Sequence, residues 1–559
     1  MQTHVNPVYD YRRPPELDSA EPVHHPLVVV GAGPVGMVAG LDAASHGIPC
    51  LILDDNDTVS VGSRAVCYAK RALEILDRLG CGQRMVDKGI TWNLGRVFYR
   101  DEEIYRFDLL PETGHERPAF INLQQYYFEE YLVDRIGEVK GLDLRWKNRV
   151  TAVGQDDRRV RLTVATPDGD YRLTCDHLIV CDGANSSIRR MLGLESRGQV
   201  FQDRFLIADV VMENDWPPER WFWFDPPFHG GQSTLLHRQA DNLWRIDFQL
   251  GWDADPEEEK RPERVLPRLR AMLGEEAEFQ LEWTSVYTFQ CRRMERFRHG
   301  RIFFAGDAAH QVSPFGARGA NSGIQDTDNL LWKLRLVTSG AAPDTLLDSY
   351  DSERVPAADE NILHSTRSTS FISPGSGPAR LFRDATLLLS KRCPFARTLV
   401  NSGRLSLPAV YRDSPLNTPD EDPFDSPVEP GAPACDAPVA GPGGEQWFLR
   451  ILGNGGFNIL YFAGAALSVD EERWLGQLRQ GPVPLRILVA GLRADGQLPD
   501  GMERLDDREG LLSRRLDATP GSLYLFRPDQ HLAARWRHPD SSKVLQALDR
   551  ALARERTTP

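Results

Sequence analysis

The stretch that decides the fold is LVVVGAGPVGMVAGL, Leu27 to Leu41. An apolar run typical of a buried parallel strand passes into GAGPVG, residues 31–36, and the pattern then becomes helical. Gly31 permits a tight turn, Gly33 lets backbone approach a pyrophosphate, and Gly36 allows close helix–strand packing. The stretch therefore predicts the first half of a βαβ unit whose helix N-terminus binds phosphates.

The second strand of this unit is predicted from LILD at residues 51–54. It ends at Asp54, 23 residues after Gly31, where an acidic side chain binds a ribose hydroxyl in dinucleotide sites. Aspartate rather than arginine at this point favours an unphosphorylated ribose, as in FAD or NAD. A glycine-rich turn of an unrelated α/β protein is the alternative interpretation, but strand, helix and acid together favour a dinucleotide site.

Composition limits the classes of function. A chain of 559 residues is too long for a single core, so two or three domains are expected. Its net charge of −14, without a basic block, argues against nucleic acid and against anionic membrane surfaces. The eight cysteines are scattered without a CxxC, which argues against a metal site or a disulfide scaffold. No long apolar span or signal peptide is present, which predicts a cytoplasmic location.

Other segments predict further elements. Helices are expected over residues 63–80 (SRAVCYAKRALEILDRLG) and 124–136, and a long amphipathic helix over 322–337 (SGIQDTDNLLWKLRLV). Residues 204–290 alternate apolar and polar side chains and are rich in Trp and Phe, which predicts a β-rich layer suited to covering a ligand. Residues 405–440, dense in Pro, Asp and Ser, indicate a linker or an extended wrap.

Two more motifs follow their own apolar strands. DGANSSIR, residues 182–189, comes after HLIVC, and GDAAHQVSPFGARGANSGIQD, residues 306–326, comes after RIFFA. Each alone is compatible with an ordinary turn. In this order after GAGPVG, they make the chain resemble the class A flavin-dependent aromatic hydroxylases, of which the para-hydroxybenzoate hydroxylase type is the best-known member. The resemblance covers about residues 25–400.

This resemblance implies an activity. Members are FAD-dependent monooxygenases that consume NADH or NADPH and O₂ and hydroxylate an aromatic ring through a flavin C4a-hydroperoxide. We therefore expect a small aromatic substrate, a phenol or a phenolic acid. Three alternatives stay open. The first is an oxygenase of the same fold acting on a polycyclic natural product or inserting oxygen beside a ketone, the second is a flavin reductase or dehydrogenase that does not oxygenate, and the third is an FAD-binding module without enzymatic activity.

The resemblance also implies site residues. Asp307 is expected to hydrogen-bond the ribityl side of FAD, the Pro314 carbonyl to face the substrate, and the backbone of residues 319–321 to contact the pyrimidine edge of the ring. Ser313 replaces a proline found in many members, and Ala320 is smaller than usual. The full predicted FAD set is Gly31, Gly33, Pro34, Gly36, Asp54, Arg64, Gln125, Asp182, Gly183, Gly306, Asp307, Pro314, Gly319, Ala320 and Asn321.

Substrate contacts are harder to predict. His237 and Arg245, in the β-rich region, are candidates for binding a phenol or a carboxylate, although each also fits an ordinary sheet position. The run Trp221–Phe224 fits either an aromatic pocket or the core. His310 is interpreted as a structural hydrogen-bonding residue rather than a base. Arg318 fits either a solvated loop position or a site that attracts an anionic substrate or the nicotinamide phosphate. No group that deprotonates a phenol is identified, and no metal site is predicted.

The C-terminal part resembles the thioredoxin-like domain of longer family members, such as phenol and 3-(3-hydroxyphenyl)propionate hydroxylases. Tyr524–Trp536 (YLFRPDQHLAARW) carries this resemblance. Without a CxxC it has no dithiol chemistry, so packing or a homodimer contact is the expected role. The predicted fold is α/β, with an N-terminal arm (1–25), a Rossmann-like FAD-binding domain (26–203 and 299–404), a β-rich substrate layer (204–298), the linker (405–440) and a thioredoxin-like α/β domain (441–559).

Overall fold

The computed structural model describes residues 3–251, 253–400, 405–441, 443–453, 455–479, 481–493 and 498–554. The predicted domain ranges extend beyond these residues at 1–2, 401–404 and 555–559, and those parts of the ranges lie outside the described chain.

Strands and helices alternate through the first part of the chain. They are β1 (Val23–Val30), α1 (Pro34–Ser45), β2 (Cys50–Leu53), β3 (Cys67–Ala69), α2 (Lys70–Arg78), α3 (Gly82–Lys88), β4 (Ile90–Trp92), β5 (Leu94–Tyr99), β6 (Glu102–Asp108), β7 (Phe120–Asn122), α4 (Gln125–Glu138), β8 (Leu142–Arg145), β9 (Arg149–Gln155), β10 (Val160–Thr166), β11 (Gly169–Val180) and α5 (Ser187–Met191).

A strand-rich part follows and then a helical part. Their elements are β12 (Ser196–Val211), β13 (Arg220–Phe224), β14 (Ser233–Arg238), β15 (Leu243–Gln249), α6 (Pro256–Glu259), α7 (Pro262–Leu273), β16 (Gln280–Met294), β17 (Arg298–His299), β18 (Ile302–Phe304), β19 (His310–Gln311), α8 (Gly319–Thr338), α9 (Asp348–Ile372), α10 (Gly377–Ser390) and α11 (Pro394–Val400).

The C-terminal part again alternates strands and helices. Its elements are β20 (Pro438–Gly441), β21 (Gly444–Trp447), α12 (Phe448–Leu452), β22 (Phe457–Phe462), α13 (Val469–Leu478), β23 (Leu485–Ala490), β24 (Met502–Leu505), α14 (Leu511–Leu516), β25 (Leu523–Phe526), β26 (Leu532–Trp536) and α15 (Ser541–Ala551). Short 3₁₀ turns lie at Pro15–Asp18, Pro227–His229, Gly306–Ala308, Pro314–Gly316 and Asp344–Leu347.

The first sheet has the order β17-β18-β11-β1-β2-β8, with β10 and β9 continuing from β11. Its central strands run parallel, and Val28 and Val29 of β1 are fully buried, as expected of a sheet covered on both faces. The three glycine-containing motifs directly follow β1, β11 and β18, which are neighbours. All three therefore meet at the carboxyl edge of one sheet, where α/β proteins bind ligands. This confirms the predicted Rossmann-like α/β fold.

The second sheet is mainly antiparallel, with the order β19-β16-β12-β15-β14-β13-β5-β6. It includes the β-rich layer expected from the sequence, but β5 and β6 come from the range assigned to the FAD-binding domain. β12 begins at Ser196, so the predicted boundary at residue 204 falls inside a strand. The chain enters this layer from the first sheet through α5 and returns to it through the short segment between β16 and β17.

The helix predicted over residues 63–80 is only partly correct. Residues 70–78 form α2, whereas Cys67–Ala69 form β3 and pair with β7. The side-chain amide of Asn321 explains the difference, because its Oδ1 accepts from Ala69 N at 2.8 Å and its Nδ2 donates to Cys67 O at 2.9 Å. These bonds use the backbone groups that a helix would need.

Residues 405–441 form an extended wrap, the second of the two forms considered for this segment. Tyr411, Leu416, Val428 and Ala437 are all buried, so this segment is anchored at both of its ends, whereas residues 418–427 are exposed or half-buried. It leads into a five-stranded sheet of order β24-β23-β22-β25-β26, in which β22, β23 and β24 run parallel and β25 and β26 antiparallel to their neighbours. Across the described ranges, the helices are each too short or too polar to cross a membrane.

Candidate active site

The turn at residues 31–36 is shaped by close packing. Gly31 has φ of +106°, and a Cβ added to it would lie 2.4 Å from the Cys181 carbonyl oxygen. A Cβ on Gly36 would lie 1.8 Å from the Gly31 carbonyl oxygen. A Cβ on Gly33 would meet no heavy atom within 4 Å, and Pro34 begins α1 directly after it. Two glycines thus allow the turn to pack, and the third leaves an open backbone surface.

Two acidic residues fix the neighbouring turns. Asp54 Oδ2 accepts from the Ala32 N–H inside the glycine turn. Burial raises the pKa of this carboxyl, although the hydrogen bond from Ala32 acts in the opposite direction. Asp182 Oδ2 accepts from Ser187 N at 2.8 Å and Ile188 N at 3.1 Å, which caps α5. Its Oδ1 is buried and has no hydrogen-bond partner within the described part of the chain. Gly183 follows with φ of +78° and open space beside it.

Asp307 lies where the third motif meets α8. Its side chain is accessible from a cleft, and its Oδ1 lies 3.9 Å from the position that a Cβ would take on Gly319. The surrounding protein desolvates the carboxylate and raises its pKa, while His310 acts in the opposite direction. The helix begins at Gly319 without a side-chain cap, so the first N–H groups, including those of Ala320 and Asn321, face a favourable site for a carbonyl or an anion. We call residues 31–36, 182–183, 306–307 and 319–321 the cradle.

The loop at residues 63–65 is held against the cradle from two sides. Gln125 Oε1 accepts from Ala65 N at 3.0 Å, and its Nε2 donates to Glu129 at 2.7 Å. Arg245 donates to the Arg64 carbonyl at 2.6 Å. Arg64 itself has φ of +42° and an exposed side chain, so its guanidinium is available to a ligand. The geometry gives Gln125 and Arg245 positioning contacts to this loop.

A polar row crosses the inner face of the second sheet. Strand register aligns Arg220, His237, Arg245 and Asp209 on four neighbouring strands. His237 is buried, with Nε2 3.9 Å from Asp247, and burial together with the nearby arginines holds the pKa of its imidazole well below the usual value. Burial raises the pKa of Asp209 to about 6. His237 is therefore a neutral, buried sheet residue, and none of these four lines the large cavity described next.

The aromatic end of the same face borders a cavity of about 600 Å³. Phe222 and Phe224 line it, whereas Trp221 and Trp223 point to the other face, where Trp223 stacks on Phe98 at 5.0 Å. The aromatic run thus serves both as pocket and as core. Phe315 enters the cavity from the Pro314–Gly316 turn. The other lining side chains are mainly apolar, including Val97, Phe107, Phe120 and Phe371, with Lys70, Arg71, Asp108, Glu112 and Arg397 among the charged ones.

Comparison with known proteins assigns the family. The sequence model described as FAD binding domain matches residues 24–365. The chain belongs to this FAD-binding family. It is 30% identical over 558 residues to 6-methylpretetramide 4-monooxygenase of Streptomyces rimosus, covering 96% of this chain and 94% of that protein. It is 27% identical over 518 residues to a 3-(3-hydroxy-phenyl)propionate/3-hydroxycinnamic acid hydroxylase of Mycobacterium sp. (strain JLS), covering 91% and 88%.

Solved structures share the fold. The flavin-dependent monooxygenase PieE, in complex with FAD and substrate, superposes with a TM-score of 0.80 at 21% identity, covering 96% of this chain and 100% of that one. Aklavinone-11 hydroxylase, in a ternary complex with FAD and aklavinone, gives a TM-score of 0.75 at 22% identity, covering 96% and 100%. The family match and the relatives named as a monooxygenase and a hydroxylase, rather than these structures, make the chain an FAD-dependent aromatic monooxygenase.

The cradle of this monooxygenase fits FAD. Gly33 and Gly183 leave open backbone beside two strand ends, and Asp182 directs an unpartnered buried oxygen among them. Asp307 and the start of α8 add a carboxylate and N–H donors next to each other. In the described residues, no group of three or more His, Cys, Asp and Glu side chains is placed to hold a metal ion.

The Pro314 carbonyl has a local partner. It accepts from Ala317 N at 3.0 Å, so it is used within the turn, and the Phe315 side chain is the part of the turn that reaches the cavity. Arg318 is buried, donates to Asn361 at 2.9 Å, and burial lowers the pKa of its guanidinium to about 10.

Sequence reasoning missed the acid that supports the third motif. Asp326 Oδ2 accepts from Gly306 N at 2.9 Å and from His310 Nε2 at 2.7 Å, and its Oδ1 accepts from Arg354 Nε at 2.7 Å. A signal was present, because Asp326, Asn329 and Lys333 follow helical spacing along one face of α8. The sequence pattern predicts an amphipathic helix with this face in solvent, whereas every residue from 321 to 334 is buried. Polar residues there form ion pairs.

Proposed function

We propose that this monooxygenase hydroxylates a polycyclic phenol, using NADH or NADPH as reductant and O₂ as oxygen source. The observation that carries the proposal is the size of the cavity. A cavity of about 150 Å³ accommodates benzene, so about 600 Å³ has room for roughly three to four fused rings. A single phenol would leave most of this volume to water, which a monooxygenase must exclude.

The walls of the cavity suit a flat substrate. Phe222, Phe224 and Phe315 present aromatic faces and edges that pack on fused rings. FAD held by the cradle would supply the O₂ chemistry and the electrophilic oxygen atom. The residues of this chain bind and orient the ring: Phe315 limits its approach on the side of the third motif, and the aromatic walls exclude water.

Several relatives act on or bind large ring systems, according to their names. The 6-methylpretetramide 4-monooxygenase of Streptomyces rimosus and the aklavinone complex of aklavinone-11 hydroxylase both match along nearly the whole of this chain. These likenesses support the polycyclic alternative over the simple phenol expected from the sequence.

A single-ring phenolic acid is the second candidate substrate, and it is favoured by the cationic side chains that line the cavity. Lys70 and Arg397 line the cavity, and Arg397 lies over the Tyr105 ring at 5.4 Å. Arg397 is suited to a substrate carboxylate, whereas Lys70 already pairs with Glu74. The hydroxyphenylpropionate-type relative gives this candidate further support.

A substrate panel separates the candidates. FAD-loaded protein is supplied with NADH or NADPH and with tetracyclic phenols, anthraquinone phenols, naphthols, phenol or 3-hydroxyphenylpropionate. We expect polycyclic phenols to accelerate NAD(P)H oxidation and to gain one atom of ¹⁸O from ¹⁸O₂, while single-ring compounds give slow turnover and peroxide. Efficient labelling of single-ring acids alone would replace the first candidate by the second, and NAD(P)H oxidation with unlabelled products throughout would refute both.

A further inference from the structure

A buried ion cluster joins the C-terminal domain to α8 and α9. At its centre is Glu353 of α9, which is fully buried. Its Oε2 accepts from Lys333 Nζ and Asn329 Nδ2, each at 2.6 Å, and both Oε atoms accept from Arg527, which follows β25. Arg527 also donates to Asp529 at 2.5 Å. The guanidinium of Arg527, in the C-terminal domain, thus bonds directly to the carboxylate of Glu353 in α9.

The cluster is electrically balanced. Glu353 and Asp529 carry two negative charges, and Arg527 and Lys333 carry two positive charges, with all four side chains at 0% exposure. Burial opposes ionisation of Glu353, but Arg527 and Lys333 more than compensate and hold its pKa far below the usual value. Burial lowers the pKa of Lys333 to about 8. Removing one partner would leave an uncompensated charge in the interior, which is strongly destabilising.

The next residue along α9 continues the connection toward the cradle. Arg354 donates from Nε to Asp326 at 2.7 Å and from NH1 to the Tyr411 hydroxyl at 3.0 Å. Tyr411, in the wrap, stacks on His531 of the C-terminal domain with ring centroids 4.5 Å apart. Asp326 in turn accepts from Gly306 N and from His310. Gly306 directly precedes Asp307.

We propose that Arg527 of the C-terminal domain is a positioning residue for the FAD site. It fixes α9 through Glu353, and α9 fixes the Gly306–Asp307 turn through Arg354 and Asp326. The C-terminal domain is therefore part of the support of the cofactor site, although it contributes no residue to the cradle. This role concerns FAD binding alone, so it stands or falls independently of the substrate proposed above.

The choice of contact supports this role. A domain that only needs to dock is held as well or better by apolar residues, because buried ion pairs often add no net stability. Here two charged residues adjacent in sequence bond to different parts of the molecule: Glu353 pairs with Arg527 of the C-terminal domain, and Arg354 pairs with Asp326 of α8. Ionic geometry fixes the helix in one register relative to both, which an apolar contact would not.

The test compares two buried arginines of the C-terminal domain. Arg527→Met removes the bond to Glu353. Arg535→Met is the matched control, because Arg535 is also buried but bonds Asp420 and the Val428 carbonyl of the wrap. The dissociation constant for FAD is measured by quenching of flavin fluorescence, along with the visible spectrum of bound flavin and the melting temperature of the cofactor-free protein.

We expect Arg527→Met to raise the FAD dissociation constant at least about tenfold, within the range typical of coupled sites, and to alter the flavin spectrum. Arg535→Met should change FAD affinity less than about twofold even where it lowers the melting temperature as much. Arg527→Lys should restore part of the affinity. Equal effects of the two methionine variants, or none from either, would overturn the proposal.

A milder variant covers the case in which Arg527→Met does not fold. Tyr411→Phe removes only the hydroxyl that accepts from Arg354, and we expect it to raise the FAD dissociation constant about threefold, the effect of one ordinary hydrogen bond. Unchanged FAD affinity in both Tyr411→Phe and Arg527→Lys would refute the connection.

Discussion

The cradle and the cavity meet at one loop but are built from different parts of the chain. The cradle consists of turns, helix N–H groups and a few carboxylates, held by glycine packing at Gly31 and Gly36 and by Asp326. The cavity is a space between aromatic side chains, among them Phe222, Phe224 and Phe315. A backbone site suits a cofactor that never changes, whereas a side-chain site can be altered residue by residue without disturbing the cofactor.

The largest expected effect is in the cradle. Gly36→Ala adds a Cβ only 1.8 Å from the Gly31 carbonyl oxygen, which is far too close, so the turn or the helix must move. We expect loss of FAD from the purified protein and a melting temperature lowered by more than 10 °C, since several kcal/mol are at stake. Gly33→Ala is the control for the fold, because its Cβ meets open space. A yellow, stable Gly36→Ala protein would contradict the packing described.

The next effect concerns the one exposed carboxylate of the third motif. Asp307→Ala removes a charged acceptor from the cleft, and hydrogen bonds to charged groups contribute about 1.5–3 kcal/mol. We expect the dissociation constant for FAD to rise roughly tenfold to a hundredfold, with the melting temperature of the cofactor-free protein maintained because the side chain is exposed. Fluorescence titration with FAD measures the first change, and unchanged affinity would show that Asp307 does not contact the cofactor.

A smaller, pH-dependent effect tests how the second sheet supports the cradle. The pKa of Asp209 is raised to about 6 by burial, above its value near 3.9 in an unfolded chain. Its proton therefore stabilises the folded state below pH 3.9, and this contribution is lost as the pH rises through 6. Asp209→Asn should be more stable than the parent by about 1–3 kcal/mol at pH 8. The gain should vanish near pH 4. Urea unfolding at both pH values measures it, and a gain independent of pH would exclude this titration.

The smallest expected effect on stability comes from a substitution in the cavity. This substitution should change turnover of the substrate without changing FAD binding. Phe222→Trp narrows the space, whereas Trp223→Phe changes the next residue on the opposite face of the same strand. We expect Phe222→Trp to lower kcat/KM for a polycyclic phenol about tenfold, as overpacking of 1–3 kcal/mol implies, and to leave FAD affinity unchanged. Trp223→Phe should leave kcat/KM within about twofold. Steady-state kinetics on both variants decide, and equal losses would place Phe222 outside the substrate site.

The cradle could be predicted from the sequence, whereas the lining of the cavity could not. GAGPVG, Asp54 and the two later motifs are local patterns whose geometry follows from strand, turn and helix, and they meet as expected at one sheet edge. The inner face of the second sheet is not local. Whether Phe222 or Trp223 faces the cavity depends on register with β5, more than a hundred residues earlier in the chain.

Long-range ion pairs cannot be predicted from the sequence either, because their partners are also far apart in the chain. Asp326, Asn329 and Lys333 show a regular polar spacing on α8, but that spacing is equally typical of a solvated helix face. Distant partners stabilise these side chains in the interior. Arg354 pairs with Asp326, and Glu353, itself paired with Arg527 174 residues later, accepts from Asn329 and Lys333. The helix predicted over residues 63–80 was shortened by a similar distant contact, the amide of Asn321.

The distance between Glu353 and Arg527 also has a consequence for biosynthesis. When residue 365 leaves the ribosome, the part of the chain that matches the FAD-binding family is finished, but Glu353 still lacks Arg527 and Arg354 still lacks Tyr411. On the arrangement proposed here, the Gly306–Asp307 turn gains its full support only when the last strands have been made. Tight cofactor binding is then a late event in synthesis, and a truncated chain would hold its flavin more weakly than the complete one.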